Sequence, residues 1–314
     1  MKLLFAGTPQ IAVPSFNALA DNFEVVGVLC APDALSGRGR RRTASPVKTA
    51  AKRRALPVLQ PERLDREARL RVAALGAQLL VVFAYGRFFG PMFLDLFAKG
   101  GINLHLSKLP QFRGPSPVSA AILAGCRQTA ISVQKIALRM DAGDILAQKG
   151  FPLKGSETTA SLSAALSQAA VPELVKVVHN VIDGRLNPIS QNESDATYCK
   201  PILKTDGLIK WEMQANQLER MVRAYNPWPT ARTSLNGKSL AVLEAALPES
   251  PPPVLEAEIP GTVLGIDRSQ GILVQTGEGV LVLRQLQFAA RKSLNFKAFL
   301  NGVHLKVGTV LGVG

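Results

Sequence analysis

The strongest constraint in this chain is a set of short, nearly unbroken apolar runs in its first half. Lys2–Ala6, Glu24–Leu29 (EVVGVL), Gln78–Phe83 (QLLVVF) and Gly101–Leu104 (GINL) all have the length of strands. Helical stretches lie between them. One of these, Ile11 to Ala20, follows the turn Gly7-Thr8-Pro9 and carries Pro14 in its first turn, where proline is tolerated. Strands that are apolar on both sides and spaced by helices form a parallel sheet covered on both faces. The first half therefore predicts a doubly wound, mostly parallel α/β domain.

Farther along, apolar positions recur at helical spacing from Ser161 to Ile182, with Gly184 as a stop and Pro172 predicted to kink or divide the helix. The polar stretch from Asn187 to Asp195 ends this texture. The expected division is a first domain over 1–187, a linker over 188–205 and a second domain over 206–314. The second domain opens on a helix from Ala215 to Ala224 and continues in short β-type runs: Ser239–Leu243, Gly261–Leu264, Ile272–Gln275 and Val280–Leu283. Short strands separated by Gly, Asp and Pro predict a small antiparallel β-barrel. Pro248 to Pro253 reads as an exposed loop within it.

No apolar stretch reaches the roughly 18–20 residues that span a bilayer, and the N-terminal run is too short for a secretory signal. The cytoplasm is the expected address. Cys30, Cys126 and Cys199, and His105, His179 and His304, are too scattered for a disulfide framework or a metal site, and no metal is expected. No long coiled-coil pattern or apolar stripe calls for an oligomer, so a monomer is expected. Lys and Arg number 37 against 23 Asp and Glu, a net charge of +14. That excess favours polyanionic partners, nucleic acid first.

The chemistry concentrates in Asn103-Leu-His105-Leu-Ser107-Lys-Leu-Pro110-Gln-Phe-Arg113-Gly114, directly after a predicted strand. Open α/β sheets bind ligands outside the carboxyl ends of their strands. In extended chain, Asn103 and His105 point to one side. An amide and an imidazole can then converge on one oxygen, as the oxyanion of an acyl or formyl transfer requires. Asn-x-His alone is more often a satisfied structural pair. Asp141, in the glycine-containing turn Met140-Asp141-Ala142-Gly143-Asp144, adds a carboxylate that could reach the His and hold it protonated. Gly7-Thr8-Pro9 lacks the Gly-x-Gly-x-x-Gly spacing of a dinucleotide fingerprint.

Taken in order, Phe5-Ala6-Gly7-Thr8-Pro9, Val81-Val82-Phe83-Ala84-Tyr85-Gly86, Asn-x-His, Ser-x-Leu-Pro-x-x-Arg-Gly, Asp141-x-Gly143 and Asn226-Pro227-Trp228-Pro229 resemble the 10-formyltetrahydrofolate-dependent formyltransferases. The resemblance covers nearly the whole chain and is nearest to the branch that acts on methionyl-tRNA. It implies a Rossmann-like formyltransferase domain followed by an OB-like barrel. It implies Asn103, His105 and Asp141 as the catalytic group, with 10-formyltetrahydrofolate as formyl donor. Ser107, Lys108, Leu109 and Pro110 would line the donor site, and the backbone of Tyr85, Gly86, Arg87 and Phe88 would receive the pterin. Lys108 stands where the family has a leucine, and Ala137 and Arg139 where it has Asp and Gly.

From Arg38 to Arg54 the chain carries Arg38, Arg40, Arg41, Arg42, Lys48, Lys52, Arg53 and Arg54 and no acid. A basic run is usually a solvated surface loop. By the resemblance, the Gly-Arg-Gly part corresponds to a tRNA-gripping loop, with Arg38 foremost and Arg40, Arg41 and Arg42 behind it. Lys204, with Lys200, Lys210, Arg220 and Arg223, extends the basic character into the second domain, since small barrels serve as nucleic-acid platforms. Trp228, between two prolines, reads as a packing anchor at the domain joint rather than as a base-stacking residue. The expected partner is initiator methionyl-tRNA, whose amine receives the formyl group. Two rivals remain: a formyltransferase acting on an amino sugar nucleotide or a purine precursor, and a non-catalytic RNA-binding protein on the same fold.

Overall fold

The computed structural model describes residues 1–36, 41–250 and 259–312. It has two compact units, one of residues 1–117, 128–152 and 163–200, the other of 118–127, 153–162 and 201–314.

The first unit begins with β1 (Lys2–Gly7), α1 (Val13–Asn22), β2 (Glu24–Leu29), the short hairpin β3 (Ala34–Ser36) and β4 (Arg41–Thr43), and α2 (Pro46–Arg53). It continues through β5 (Val58–Leu59), α3 (Arg66–Ala73), β6 (Leu79–Phe83), α4 (Pro91–Leu94) and β7 (Gly101–His105). The helix starts are written in the sequence. Ser45 caps α2 by accepting the Lys48 amide at 3.2 Å, and Asp65 caps α3 by accepting the Ala68 amide at 3.0 Å. Helix α5 (Pro117–Leu123) belongs, beyond its first residue, to the second unit. Strands β8 (Gln128–Lys135) and β9 (Ile145–Pro152) return to the first, and α6 (Thr159–Ile182) starts in the second unit and belongs to the first from Ser163 on.

Seven strands form one sheet in the order β5-β2-β1-β6-β7-β8-β9. All pairs from β5 to β7 are parallel, while β8 and β9 run antiparallel. Leu3, Leu4, Phe5 and Ala6 are all fully buried. Successive side chains point to opposite faces, so both faces of β1 are covered, as the unbroken apolar runs require. The chain moves outward from β1 through β2 to β5, then crosses back to β6 on the other side of β1. This reversal puts the ligand-binding crevice of an open sheet at the carboxyl ends of β1 and β6.

Helix α6 is not divided at Pro172. Pro172 and Gln168 lie on its exposed side, so the carbonyl left without an N–H donor can be served by water. Leu162, Leu166, Leu174, Val177, Val178 and Val181 form its buried stripe.

The second unit contains α7 (Ala215–Ala224), β10 (Ala231–Leu235), β11 (Lys238–Ala246), β12 (Val263–Asp267), β13 (Gly271–Gln275), β14 (Val280–Phe288), β15 (Leu294–Asn295) and α8 (Phe296–Gly302). Its antiparallel sheet has the order β10-β11-β14-β13-β12, with β15 on β14. Trp211, Leu218, Val242, Ile272, Leu281 and Phe299 are among the residues of its core. Trp228, expected as a packing anchor, is instead 55% exposed and outside this core. The packing tryptophan is Trp211, whose indole N–H donates to Thr233 Oγ1 at 3.0 Å. Pro251-Pro252-Pro253 of the proline-rich loop lie outside the described residues.

Leu80, fully buried in β6, reports on the first core. Leu80→Ala is expected to lower unfolding free energy by about 2–5 kcal/mol in urea denaturation. A loss within about 0.5 kcal/mol, the range of surface substitutions, would show that β6 is not central to that core.

Candidate active site at the carboxyl edge of the parallel sheet

Strand β7 ends with apolar residues on one face and polar residues on the other. Ile102 and Leu104 are buried on one face, while Asn103 and His105 point to the other. The antiparallel register sets Gln134 of β8 opposite Asn103, and Ser132 opposite His105. Gln148 of β9 stands opposite Ser132. Side chains directly opposite on paired strands share a face, so these five polar groups form one patch.

Asp141 enters this patch from the connection between β8 and β9. Its backbone is left-handed, with φ 49°, a conformation that Asp tolerates better than most residues. Two residues on, a Cβ at Gly143 would collide with the Lys135 carbonyl, so only glycine lets the turn lie so close to β8. The Asp141 carboxylate is 15% exposed. Its Oδ1 accepts from Asn103 Nδ2 at 3.2 Å and Gln134 Nε2 at 2.9 Å. Its Oδ2 accepts the Gly114 backbone N–H at 2.8 Å and lies 3.6 Å from His105 Nδ1. The other ring nitrogen, Nε2, is 3.0 Å from the Phe112 carbonyl. Both ring nitrogens thus face oxygen atoms, Nε2 within hydrogen-bond distance and Nδ1 somewhat beyond it.

Ser107 to Pro110 are fixed from the same strands. Ser107 Oγ donates to the Gln111 carbonyl at 2.6 Å, and Ser132 Oγ donates to the Ser107 carbonyl at 2.6 Å. Gln148 Nε2 donates to the Leu109 carbonyl at 3.0 Å and to Ser132 Oγ at 2.9 Å. Leu109 is buried, Lys108 is exposed, and the Leu109–Pro110 peptide is cis. Tyr85 to Phe88 leave the carboxyl end of β6, the neighbour of both β1 and β7. Tyr85 is buried and stacks on Phe89, yet its hydroxyl has no hydrogen-bond partner. Burial raises its pKa above the ordinary tyrosine value. Gly86 has φ 81°. Arg87 is turned aside, its guanidinium donating to the carbonyls of Pro61 and Glu62, while Phe88 is 68% exposed.

A family model described as formyl transferase matches residues 1–178, and a second, the formyl transferase C-terminal domain, matches residues 201–304. A methionyl-tRNA formyltransferase of Treponema denticola is 43% identical over 311 residues, covering 96% of this chain and 97% of that protein. This chain belongs to the formyltransferase family. Two solved structures share its fold. One is an N-formyltransferase from Helicobacter canadensis in complex with folinic acid and dTDP-3-aminofucose, with TM-score 0.64 at 16% identity over 90% of this chain and 98% of that one. The other is a methionyl-tRNA formyltransferase from Clostridium thermocellum, with TM-score 0.55 at 14% identity over 79% of this chain and 94% of that one.

The basic segment of this formyltransferase is only partly within the described residues. Arg38 and Arg40 lie outside them. Arg41 and Arg42 belong to β4, and Arg42 is exposed. Lys48 is not available to a phosphate in the same way, because Asp33 Oδ2 and Gln60 Oε1 each hold its ammonium at 2.6 Å. Arg54 pairs with Asp21 at 2.7 Å. Lys204 is exposed in the second unit, where Arg223 is taken up by Glu219, one turn earlier in α7, at 2.6 Å. Cys30 is fully buried and burial pushes its thiol up to about 11. Among the described residues no group of three or more His, Cys, Asp or Glu could hold a metal ion, and no helix is long and apolar enough to cross a membrane.

Sequence reasoning missed Ser132, Gln134 and Gln148, and the surroundings of Arg113. The polar residues Ser132 and Gln134, alternating with Ile131 and Val133, were the available signal. Arg113 is completely buried, and its five N–H groups are matched by five contacts. Nε and Nη2 donate to Gln191 Oε1 at 3.0 and 2.9 Å, Nη2 and Nη1 to the two Glu193 oxygens at 2.9 and 3.1 Å, and Nη1 to Tyr198 Oη at 3.0 Å. The Arg113 guanidinium is the main reason that the Glu193 carboxyl falls from 4.5 to about 2, with Arg139 adding to it. A depressed carboxyl pKa stabilises the fold fully above the unfolded value and loses that contribution as pH falls through the folded value. Glu193→Gln should therefore lower the thermal midpoint at neutral pH, and its deficit relative to the parent should shrink between about pH 4.5 and 2. Midpoint curves that stay parallel across this window would show that Glu193 does not carry this linkage.

Proposed function

We propose that this formyltransferase moves the formyl group of 10-formyltetrahydrofolate onto the α-amine of initiator methionyl-tRNA, giving N-formylmethionyl-tRNA for translation initiation. The observation that carries the reading is the gathering of Asn103, His105 and Asp141 at the carboxyl edge of the sheet. The near-full-length likeness to a methionyl-tRNA formyltransferase selects the acceptor. In the proposed organisation, 1–187 perform the chemistry, 188–205 link, and 206–314 help to hold tRNA, in a cytoplasmic monomer.

The free amine attacks the formyl carbon, forming a new C–N bond and a tetrahedral oxyanion. Asn103 uses one amide hydrogen on Asp141 and has a second for that oxyanion. His105, as the imidazolium, exchanges its Phe112 carbonyl partner for the same oxygen. The intermediate collapses by breaking the bond between the formyl carbon and the folate nitrogen. The proton lost by the amine reaches that nitrogen with help from Asp141, which orients His105 or a water. Folate fits the residues at hand: the orphaned Tyr85 hydroxyl is a buried polar atom in want of a partner. The exposed ring of Phe88, three residues on, offers apolar surface. Arg42 with Arg38, Arg40 and Arg41 would meet the phosphates of the tRNA, and Lys204 would add a contact from the second unit.

Purified protein given 10-formyltetrahydrofolate should formylate methionyl-tRNA and not free methionine. Asn103→Ala and His105→Ala should each reduce the rate by about 10²–10³. Formyl transfer to an amino sugar nucleotide in place of the charged tRNA would move the assignment to a small-amine enzyme. Tight tRNA binding without any transfer would leave an RNA-binding protein on this fold.

A further inference from the structure

The turn that carries Asp141 is held from behind by a stretch of chain lying between the two family-model matches, which end at 178 and resume at 201. Ile189 and Ile145 exchange backbone hydrogen bonds of 2.8 and 2.9 Å, so this stretch docks at the start of β9, just past the turn. Two residues later, Gln191 Nε2 donates to the carbonyls of Asp141 at 2.9 Å and Gly143 at 2.7 Å, and to Gln134 Oε1 at 3.2 Å. Gln134 is itself a donor to the Asp141 carboxylate. One amide thus grips the backbone of the turn and a side chain that aims its acid.

The amide has only one satisfactory orientation. Its oxygen must face the donors of Arg113, which has no acceptor capacity. Its nitrogen is then forced onto the carbonyls of the turn. Arg113 is completely buried, so losing that oxygen would leave N–H groups unpaired away from water. A second tether, from Arg139 in the turn to Glu193 at 2.8 Å, joins side chains that are 68% and 51% exposed. Exposed pairs contribute about 0–1 kcal/mol, so the half-buried Gln191 amide, with its bonds to both turn carbonyls, holds the backbone of the turn more firmly than this pair does.

We propose that Gln191 is a positioning residue for formyl transfer: it sets the turn over 139–143 so that the Asp141 carboxylate meets Asn103 and His105, with Arg113 fixing the direction of its amide. The inference rests on the reading of Asp141 as part of the catalytic group. Gln191 reaches neither formyl donor nor acceptor; it acts through Asp141.

Gln191→Glu is the sharpest test, because it keeps an acceptor for Arg113 and replaces the donor by an oxygen that repels the two turn carbonyls. Gln191→Ala is made alongside, and folding of both is checked by circular dichroism. In steady-state formylation of methionyl-tRNA, kcat is expected to fall about 10- to 100-fold, the scale of a small misplacement of reacting groups. KM for both substrates should stay unchanged. In an Asp141→Asn background, where there is no carboxylate to aim, Gln191→Glu should cost nothing further in single-turnover rate. Parental kcat in a folded Gln191→Glu protein, or the same fold-loss persisting in the Asp141→Asn background, would overturn the proposal. Parental activity of Asp141→Asn alone would instead remove the catalytic reading on which it rests.

Discussion

The Asp141 carboxylate gathers its partners from three places that the chain reaches separately. Asn103 and His105 come from β7, Gln134 from β8, and the Gly114 N–H from the loop after β7. A carboxylate so far withdrawn from water costs several kcal/mol unless such donors replace its hydration. That demand explains local choices that otherwise look unrelated. Gly143 allows the turn to press against β8, and Gly114, with φ 121°, sits so close to Cys199 that a Cβ would strike its carbonyl. The antiparallel edge of the sheet has its use here too. Only in that register does β8 set Gln134 beside Asn103 and Ser132 beside His105.

How much of this was legible depends on the sequence distance that each contact spans. The parallel strands could be read because each apolar run carries its own signal, and β2 and α7 fall on the expected residues. Asn103 and His105 could be paired from the alternation of side chains, and Asp141 from its turn. Gln134 and Gln148 could not be placed, because their meaning lies in which residue stands across the sheet. Arg113 and Gln191 are farther still from local reasoning. Arg113 was visible as part of Arg-Gly, but its burial depends on partners from 191 to 198 that composition marks as a polar loop. The division of α6 at Pro172 failed as an expectation because the proline falls on the exposed side, where water can replace the missing donor.

Net charge also reads differently once partners are known. The chain carries +14, yet charge on the chain is not charge offered to a polyanion. Lys48 is drawn down onto Asp33, with the two side chains 13% and 26% exposed. Gln60 joins them by bonding both, and its amide also donates to the Ala31 carbonyl at 2.7 Å. Asp33 precedes β3 and Lys48 follows β4, so this cluster ties together the two ends of the basic hairpin. Among the described residues, then, Lys48 fastens the ends of the hairpin while Arg42 is exposed.

Glu193 shows the same division within one pair of contacts. Arg113 cannot leave it without stranding buried donors, whereas exposed Arg139 can exchange Glu193 for water at little cost. Arg139, where the family resemblance anticipates glycine, therefore adds positive charge beside Glu193 rather than a new fixed point. With two guanidiniums on it, Glu193 ionises at about 2, and Arg113 is held more firmly cationic by the same contact. Both halves of this pair keep their charge at any pH at which an amine is free to attack. The support behind the Asp141 turn thus keeps its charge across the whole pH range in which an amine is unprotonated.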